Sequence, residues 1–253
     1  MHSRTRDVKR ALSLSRARSL PRSLSRLVSC KQHVCFIGIE HSFANEVVVQ
    51  AAMTFPMPST LSWEEAASIP IVFLTAYHAL ARTAQLAAGE TVLIHSAMGG
   101  LGQAAIQVAR HLGASVFASA GSEAKRDALR DVHRIEGVTD SHSLNFARDA
   151  LEWTGGAGVD VILNSLAGEY IDAGMRCLRP GGRFVEVGKR DISEGGSVGL
   201  KPFNHNLQFL SVQLDQLMLR RPEIVGDIAA AIVRQIATLS NCSAPIASLS
   251  SSH

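Results

Sequence analysis

The chain of 253 residues is 46% hydrophobic and 19% charged, with a formal net charge of +3 at pH 7. This composition supports a buried core in one large or two modest domains and excludes a chain that is disordered throughout. No apolar run approaches the roughly 20 residues that a membrane-spanning helix needs, so we expect a soluble protein without a membrane partner.

The first residues of the chain carry most of its positive charge. Residues 1–31 contain nine lysines or arginines and one acidic residue, a net charge of +8, which leaves −5 for the remainder. The basic, serine-rich stretch 1–40 is open to three interpretations: a mitochondrial presequence, a nucleic-acid-binding arm, or a disordered extension without function. We favour the extension. We therefore expect no nucleic-acid partner and a cytoplasmic location, or a mitochondrial one if residues 1–31 are a presequence.

The four cysteines give no sign of secretion or of a metal site. Only Cys30 and Cys35 lie near each other in the sequence, and His33 between them has no second ligand pair at a metal-binding spacing. We therefore expect a reduced compartment and no bound metal.

Two elements are predicted between the extension and the central part of the chain. Residues 41–50 contain a run of β-forming residues and predict a strand. Ser62 or Thr60 is expected to cap a helix over 63–86, which Pro70 kinks or divides.

From residue 91 onward, predicted strands alternate with predicted helices. The first strand ends at Ser96, and further strands are expected near 114–118, 133–138, 159–163, 183–187 and 207–214, with helices between them and over 222–239. This alternation predicts a doubly wound parallel α/β sheet of the Rossmann type. In such a sheet the ligand lies at the carboxyl ends of the strands.

A glycine-rich turn follows the first of these strands and opens a helix, as in a dinucleotide site. Ala97, Gly99 and Gly102 occupy the three glycine positions of the G-x-G-x-x-G pattern, and alanine is a mild departure at the first. Small residues there allow a tight turn, close approach of a pyrophosphate to the backbone, and close packing of helix on strand. The alternative is a plain structural turn. The residues expected to bind the cofactor at this turn are Ser96, Ala97, Met98, Gly99, Gly100, Leu101 and Gly102.

The end of the next strand indicates which nucleotide is bound. An NAD site places an acidic residue about 20 residues beyond the first glycine, where it binds the ribose 2′-hydroxyl. Residues 117–122 contain no acidic residue, and Lys125 and Arg126 follow, so two cations could hold the 2′-phosphate of NADPH. We therefore expect NADPH as the cofactor, with Ser122 and Lys125 among the residues that bind it. The alternative is that both cations lie on the solvated face of a helix.

Several segments resemble one protein family. They are 65–70 (EAASIP), 74–77 (LTAY), 89–96 (GETVLIHS), 159–168 (VDVILNSLAG) and 182–191 (GRFVEVGKRD). Together they are similar to the enoyl reductase domain of reducing polyketide synthases. That domain is related to animal fatty acid synthase and to the zinc-free, quinone-oxidoreductase-like branch of the medium-chain dehydrogenases/reductases.

The resemblance implies an NADPH-dependent reduction in polyketide or fatty acid biosynthesis. Hydride would pass to the β-carbon of a trans-2-enoyl thioester on an acyl carrier protein, and the α-carbon would then be protonated. Thr75, Asn164 and Gly188 would border the nicotinamide end of the cofactor. In the alternative interpretation, Thr75 is an ordinary helix residue and Asn164 a turn former.

The resemblance also implies where a proton donor should be sought. The family's aspartate is matched by Asp191, whereas its lysine early in the helix after LNSL does not carry over, because that helix starts GEY at 168–170. Lys189 and Tyr170 are the further candidates. In the alternative interpretation, Lys189, Arg190 and Asp191 form a solvated loop with a local ion pair.

Compared with the family, the chain is expected to lack part of the enzyme. The nucleotide domain, here 61–240, is normally paired with a barrel-like (GroES-like) catalytic domain, of which only 41–60 has a counterpart, and 241–253 form a serine-rich tail. We therefore expect an incomplete acyl cleft and an exposed surface that favours a homodimer. An acyl carrier protein and other synthase domains are the further implied partners.

Three functions remain open on this evidence. The first is an NADPH-dependent enoyl reductase, the second a catalytically silent NADPH-binding module or scaffold, and the third a free-standing quinone reductase. The segments 159–168 and 182–191 favour the synthase lineage over the quinone reductase. The missing barrel residues favour weak or no turnover by this chain alone.

Overall fold

The computed structural model describes residues 33–37, 47, 49, 50, 53–57 and 61–239. Two compact units are distinguished, one of residues 72–214 and the other drawn from 1–71 and 215–253. The basic segment 1–31, the serine-rich tail at 241–253 and most of the strand predicted at 41–50 lie outside the described residues.

Eight strands lie in the described part of the chain. They are β1 (Val34–Phe36), β2 (Thr54–Pro56), β3 (Thr91–Ile94), β4 (Ser115–Ala120), β5 (Val138–Asp140), β6 (Val159–Asn164), β7 (Leu178–Glu186) and β8 (Gln208–Ser211). The last six form one parallel sheet in the order β5-β4-β3-β6-β7-β8. This is the strand order of a Rossmann fold, in which the direction of winding reverses between β3 and β6. The predicted fold class is therefore confirmed.

The helices connect the strands as the alternating pattern predicts. They are α1 (Trp63–Ser68), α2 (Pro70–Tyr77), α3 (Gly100–His111), α4 (Glu123–Asp131), α5 (Phe146–Trp153), α6 (Glu169–Arg176), α7 (Arg190–Ser193), α8 (Leu214–Arg220) and α9 (Pro222–Leu239). A π-helical segment, His78–Thr83, continues α2, and a 3-10 turn covers Lys201–His205. The helix predicted over 63–86 is divided at Pro70, as expected for a residue that cannot donate a helical hydrogen bond.

The core of the 72–214 unit surrounds β6. Every residue of that strand is buried, and Ile162 packs in one cluster with Phe146 of α5 and Phe184 of β7, all three fully buried. Asp160 is the charged member of β6. It accepts hydrogen bonds at 2.9 Å from the Thr91 backbone N–H and from its hydroxyl. The sheet is therefore rigidly packed at its centre, which fixes the strand ends that form the site.

Some boundaries differ from the prediction. The strand expected near 133–138 lies at Val138–Asp140, because Arg134 has a left-handed φ of 51°, which no strand allows. β7 begins five residues earlier than expected, at Leu178, which pairs with Val159 ahead of a register shift. α7 and α8 were not predicted, because elements this short show too little periodicity to be recognised.

The second unit contains β1, β2, α1, α8 and α9. β1 and β2 pair antiparallel, with Cys35 opposite Phe55. β1 lies within the stretch 1–40 that we expected to be a disordered extension, so that expectation is wrong for Val34–Phe36. Within the described residues, no helix combines the length and apolarity needed to cross a bilayer.

α1 begins with the cap that the sequence suggested. The Ser62 hydroxyl accepts the Glu65 backbone N–H at 3.2 Å, and the Glu65 carboxylate accepts the Ser62 N–H at 2.8 Å. This reciprocal pair satisfies two N–H groups at the helix start. Ser62, and not Thr60, is therefore the N-cap.

Candidate nucleotide-binding site

The glycine-rich turn connects β3 to α3 through backbone hydrogen bonds. Ser96 takes the left-handed conformation, with φ of 52°, and its carbonyl accepts the Gly99 N–H at 2.9 Å. Ala97 has no positive φ, and its N–H donates to the Ser119 carbonyl at 2.9 Å, so alanine is accommodated at this position. A Cβ on Gly102 would lie 2.5 Å from the Cα and the carbonyl oxygen of Ala97. Only glycine therefore fits there.

α3 presents an uncapped N-terminus at this turn. Gly99 supplies no side-chain cap, and the N–H groups of residues 100–102 have no partner within the helix. Met98 is half-buried, and its carbonyl accepts the Gln103 side-chain N–H at 3.0 Å. Free N–H groups and the positive end of the helix dipole favour an anion here. A cavity of about 190 Å³ is lined by His95, Ser96, Gly99, Gly100, Leu101, Gly102, Leu163, Ser165 and Val187.

His95 is a buried polar residue beside the turn that sequence reasoning missed. It is 3% exposed, its Nδ1 lies 2.9 Å from the Ser119 hydroxyl, and its ring meets Phe146 edge-on with centroids 4.6 Å apart. Burial lowers the pKa of His95 to about 3, so the imidazole is neutral at physiological pH. Within the described structure its Nε2 has no hydrogen-bond partner. No local signal could have found this residue, because its partners come from other elements.

The two predicted cations lie on α4 and have different surroundings. Ser122 caps α4, and its hydroxyl accepts the Lys125 backbone N–H at 3.4 Å. The Lys125 side chain is exposed and forms no ion pair with any described residue. Arg126 is instead paired with Glu123 at 2.5 Å and with Asp140 at 3.4 Å. Lys125 is therefore available to an anionic ligand, whereas Arg126 holds the loop.

A buried polar network joins the carboxyl ends of β6 and β7. Asn164 Nδ2 donates to Glu186 Oε2 and to the Leu166 carbonyl, both at 2.6 Å, and Asn164 Oδ1 accepts the Leu166 N–H at 3.2 Å. Glu186 Oε1 accepts the Gly188 N–H at 2.6 Å. We call these four residues the Glu186 network. The Asn164 amide is fully buried and bonded within the protein, so its side chain shapes the loop that follows β6.

Glu186 is a second residue that sequence reasoning missed. It is 2% exposed. Burial raises the pKa of Glu186 to about 7, although the hydrogen bonds from Asn164 and Gly188 lower it, and the negative charge of Asp191 raises it further. Its carboxyl group therefore changes protonation state near neutral pH. In the sequence, nothing distinguishes Glu186 from the other residues of its predicted strand.

The three candidate catalytic residues have different surroundings. Both carboxylate oxygens of Asp191 accept the Gly168 N–H at 3.2 Å, so Asp191 ties α7 to the start of α6. Lys189 is exposed on the same loop. Tyr170 is half-buried, and its ring stacks on Phe146 with centroids 6.3 Å apart. Asp191 thus lies close to the Glu186 network, whereas Tyr170 helps to pack α6 on α5.

Two further elements flank the site. Thr75 lies half-buried on α2. The same helix brings Val72 to the start of α3, because a Cβ on Gly100 would lie 3.4 Å from Val72 Cγ1. Gln213, which follows β8, donates from its side chain to the Gly188 carbonyl at 3.2 Å. Gln213 therefore supports the loop after β7, a role that the sequence did not suggest.

The parallel sheet and the uncapped glycine turn define a nucleotide-binding domain of the dehydrogenase type. A model of the zinc-binding dehydrogenase family matches residues 100–241. The chain is also 42% identical over 196 residues to a phenolphthiocerol/phthiocerol polyketide synthase protein of Mycobacterium tuberculosis, a match that covers 78% of this chain and 9% of that protein.

Two solved structures of enoyl reductases are similar to this chain. The nucleotide-binding subdomain of the enoyl reductase domain of PpsC from Mycobacterium tuberculosis is 43% identical, with a TM-score of 0.64, over 67% of this chain and 94% of that one. The CurK enoyl reductase is 35% identical, with a TM-score of 0.68, over 75% of this chain and 56% of that one. The chain belongs to the enoyl reductase domains of polyketide synthases, within the medium-chain dehydrogenase/reductase superfamily.

The matching family is named for zinc binding. A zinc site needs three or four closely placed Cys, His, Asp or Glu ligands. No group of three or more such residues that could hold a metal ion occurs in the described ranges. The described residues therefore do not fit a zinc site, and we derive no step through a metal.

Proposed function

We propose that this chain binds NADPH and forms the nucleotide-binding part of an enoyl reductase. The reaction would transfer hydride to the β-carbon of a trans-2-enoyl thioester held by an acyl carrier protein. The observation that carries the proposal is the turn into α3, where the close approach of Gly102 to Ala97 leaves the uncapped N–H groups of residues 100–102 at a cavity. Such a helix start suits a pyrophosphate.

The surroundings of Lys125 support NADPH over NADH. Lys125 is exposed one turn into α4 without an ion pair among the described residues, and Ser122 precedes it at the cap. Glu123 and Asp127, the nearest acidic residues in the sequence, have their carboxylates bound by Arg126 and by Arg130. A phosphate on the ribose 2′ position would therefore meet a free cation.

NADPH, when bound, supplies the hydride. The residues of this chain would orient the cofactor and provide the proton. The turn at 96–102 would bind the pyrophosphate. The nicotinamide end would be bordered by Thr75, Asn164 and Gly188, and the Glu186 network would hold the two loops there. Lys189 is a proposed donor to the α-carbon, because it lies two residues after Val187, which lines the cavity. Asp191 and Tyr170 are the other proposed residues.

One observation favours a second candidate, a nucleotide-binding module without turnover. The Asp191 carboxylate is bonded to the Gly168 N–H, and the Tyr170 ring is packed on Phe146, so two of the three candidate catalytic residues have structural roles. In either case the proposed partners are an acyl carrier protein, other domains of a synthase and a second copy of the chain. The other synthase domains are supported by relatives that are polyketide synthases, of which this chain spans less than a tenth.

The binding proposal is tested by titrating the purified chain with NADPH and with NADH, following nicotinamide fluorescence. Gly99→Asp places a carboxylate at the N-cap of α3, where it caps the helix and occupies the anion site, so binding should be lost without loss of fold. Gly199→Asp is the matched control, because a side chain at Gly199 meets open space. Absence of NADPH binding to the wild-type chain would contradict the proposal.

A second assay distinguishes the reductase from the silent module. The chain is incubated with NADPH and a crotonyl thioester of pantetheine, and the loss of NADPH absorbance is followed. Turnover of about 1 per second or more would support the reductase. Tight NADPH binding with no thioester-dependent oxidation would support the module.

A further inference from the structure

We propose that Glu186 is a positioning residue whose ionised carboxylate holds both loops of the nicotinamide end in the arrangement that binds NADPH, and whose protonation loosens them. This inference rests on the proposed function, because it concerns NADPH binding. It predicts that a buried group which never touches the cofactor makes cofactor affinity depend on pH.

One carboxyl group is bonded to both loops. Its Oε1 accepts the Gly188 N–H, at the start of the loop after β7, and its Oε2 accepts Asn164 Nδ2–H, both at 2.6 Å. Asn164 in turn bonds both the N–H and the carbonyl of Leu166, in the loop after β6. A Cβ on Gly188 would lie 2.6 Å from Oε1, so this short contact also needs a glycine.

A second contact closes the network into a ring. Asp191, in α7 directly after the loop that follows β7, accepts the Gly168 N–H at the end of the loop after β6. The loops 165–168 and 187–191 are therefore linked at both of their ends. Because Ser165 and Val187 line the cavity together with the first turn of α3, a change in either loop changes the cavity.

The hydrogen bonds of Glu186 favour its ionised form. A carboxylate accepts at both oxygens, whereas a protonated carboxyl carries a hydrogen on one of them. Both oxygens here are bonded to N–H donors. Protonation would remove the negative charge and one lone pair of the carboxylate, so the bonds to Asn164 and to Gly188 would weaken.

Burial, together with the charge of Asp191, sets the pH at which this happens. Its partners across the sheet are uncharged, Asn164 on β6 and Ser211 on β8. Asp191 on α7 is the charged group that acts on it, and the two cations at 189–190 are exposed. Burial, more than Asp191, raises the pKa of Glu186 to about 7. Both protonation states are therefore populated at neutral pH.

The test is the pH dependence of the NADPH dissociation constant, measured by fluorescence for the wild type, Glu186→Gln and Glu136→Gln. Glu136 is exposed and serves as the matched control. Between about pH 5.5 and pH 8.5 we expect the affinity of the wild type and the control to rise about tenfold more than that of Glu186→Gln. The 2′-phosphate of NADPH titrates near pH 6 in all three proteins, so the difference isolates Glu186.

Three outcomes are distinguishable. A wild type that binds NADPH with the same pH profile as Glu186→Gln would overturn the inference and leave the proposed function intact. A wild type that binds no NADPH at any pH would overturn both. The expected divergence of the two profiles supports both.

A second measurement keeps the inference testable if Glu186→Gln does not fold. In the wild type, hydrogen-exchange protection of the Gly188 and Leu166 N–H groups, corrected for intrinsic rates, should fall at least about fivefold as pH drops through 7. The Val212 N–H, which donates to the Glu186 backbone carbonyl, is the internal reference. Equal changes in protection at all three would overturn the inference.

Discussion

The two ends of the proposed nucleotide site are built from different kinds of groups. The pyrophosphate end, residues 96–102, uses backbone N–H groups and small residues and contains no ionisable side chain. The nicotinamide end depends on the Glu186 network, in which a buried carboxyl and a buried amide hold two loops. The first end should therefore be sensitive to added volume and indifferent to pH. The second should respond to protonation.

The largest effect is expected from Gly102→Ala, which tests the dependence on volume. The added Cβ would lie 2.5 Å from backbone atoms of Ala97, which cannot move without displacing the turn. We expect the displaced turn to lose at least two charge-assisted hydrogen bonds to the ligand, which costs about 4 kcal/mol of binding free energy. The NADPH affinity should therefore be about 1,000-fold weaker at every pH. Gly199→Ala is the control for the fluorescence titration. A variant that binds like the wild type would show that the turn is not the pyrophosphate site.

Glu186→Gln should alter how stability depends on pH. The pKa of Glu186 is raised in the folded state, from 4.5 to about 7, so the folded chain holds this proton more tightly than the unfolded chain. The stabilisation is complete below the ordinary pKa and is lost as pH rises toward 7. Relative to the variant, the free energy of unfolding of the wild type should fall by about 3 kcal/mol over that interval, as measured by urea denaturation.

This stability effect has the opposite sign to the expected change in NADPH affinity. The ionised network binds the cofactor better, yet ionisation of a buried carboxyl costs folding free energy. Denaturation curves of the wild type and Glu186→Gln that stay parallel across this pH range would argue that Glu186 has an ordinary pKa.

Lys125→Ala tests the ribose end and should act on one cofactor only. Loss of one exposed cation from a phosphate contact should weaken NADPH binding about tenfold and leave NADH binding unchanged. Lys201→Ala, at another exposed lysine, is the control. Equal weakening of both nucleotides would show that Lys125 does not recognise the 2′-phosphate.

The smallest effect is expected from Tyr170→Phe. The ring that stacks on Phe146 is kept and only the hydroxyl is removed, so stability should change by less than about 0.5 kcal/mol and enoyl thioester turnover by less than about threefold. A fall in turnover of about 100-fold with unchanged NADPH affinity would instead make Tyr170 the proton donor.

The pyrophosphate end was the more predictable of the two. Its function depends on which residues can take a tight turn and allow a close approach, and both depend on neighbours within six residues, from Ser96 to Gly102. The sheet was predictable for a similar reason, since the alternation of strands and helices is a local pattern. The long buried strand β6 reads as a nearly continuous apolar run, VDVIL, as parallel strands do.

The roles of the polar side chains were not predictable in the same way. Lys125 and Arg126 are adjacent in the sequence, yet only Arg126 meets Glu123 and Asp140, because α4 turns one side chain toward the loop and the other away from it. β1 escaped prediction because a strand of three residues forms only when its partner is present.

The amino-acid sequence by itself determined the fold class, the glycine turn and the family, because periodicity, glycine stereochemistry and motif spacing are all properties of short segments. Only the tertiary structure decided that Glu186 meets Asn164, 22 residues away in the chain, and that His95 meets Ser119, 24 residues away. Parallel pairing brings the ends of distant strands side by side, and burial there changes the pKa of a carboxyl and of an imidazole. Such shifts depend on neighbours in space, which no local pattern in the sequence records.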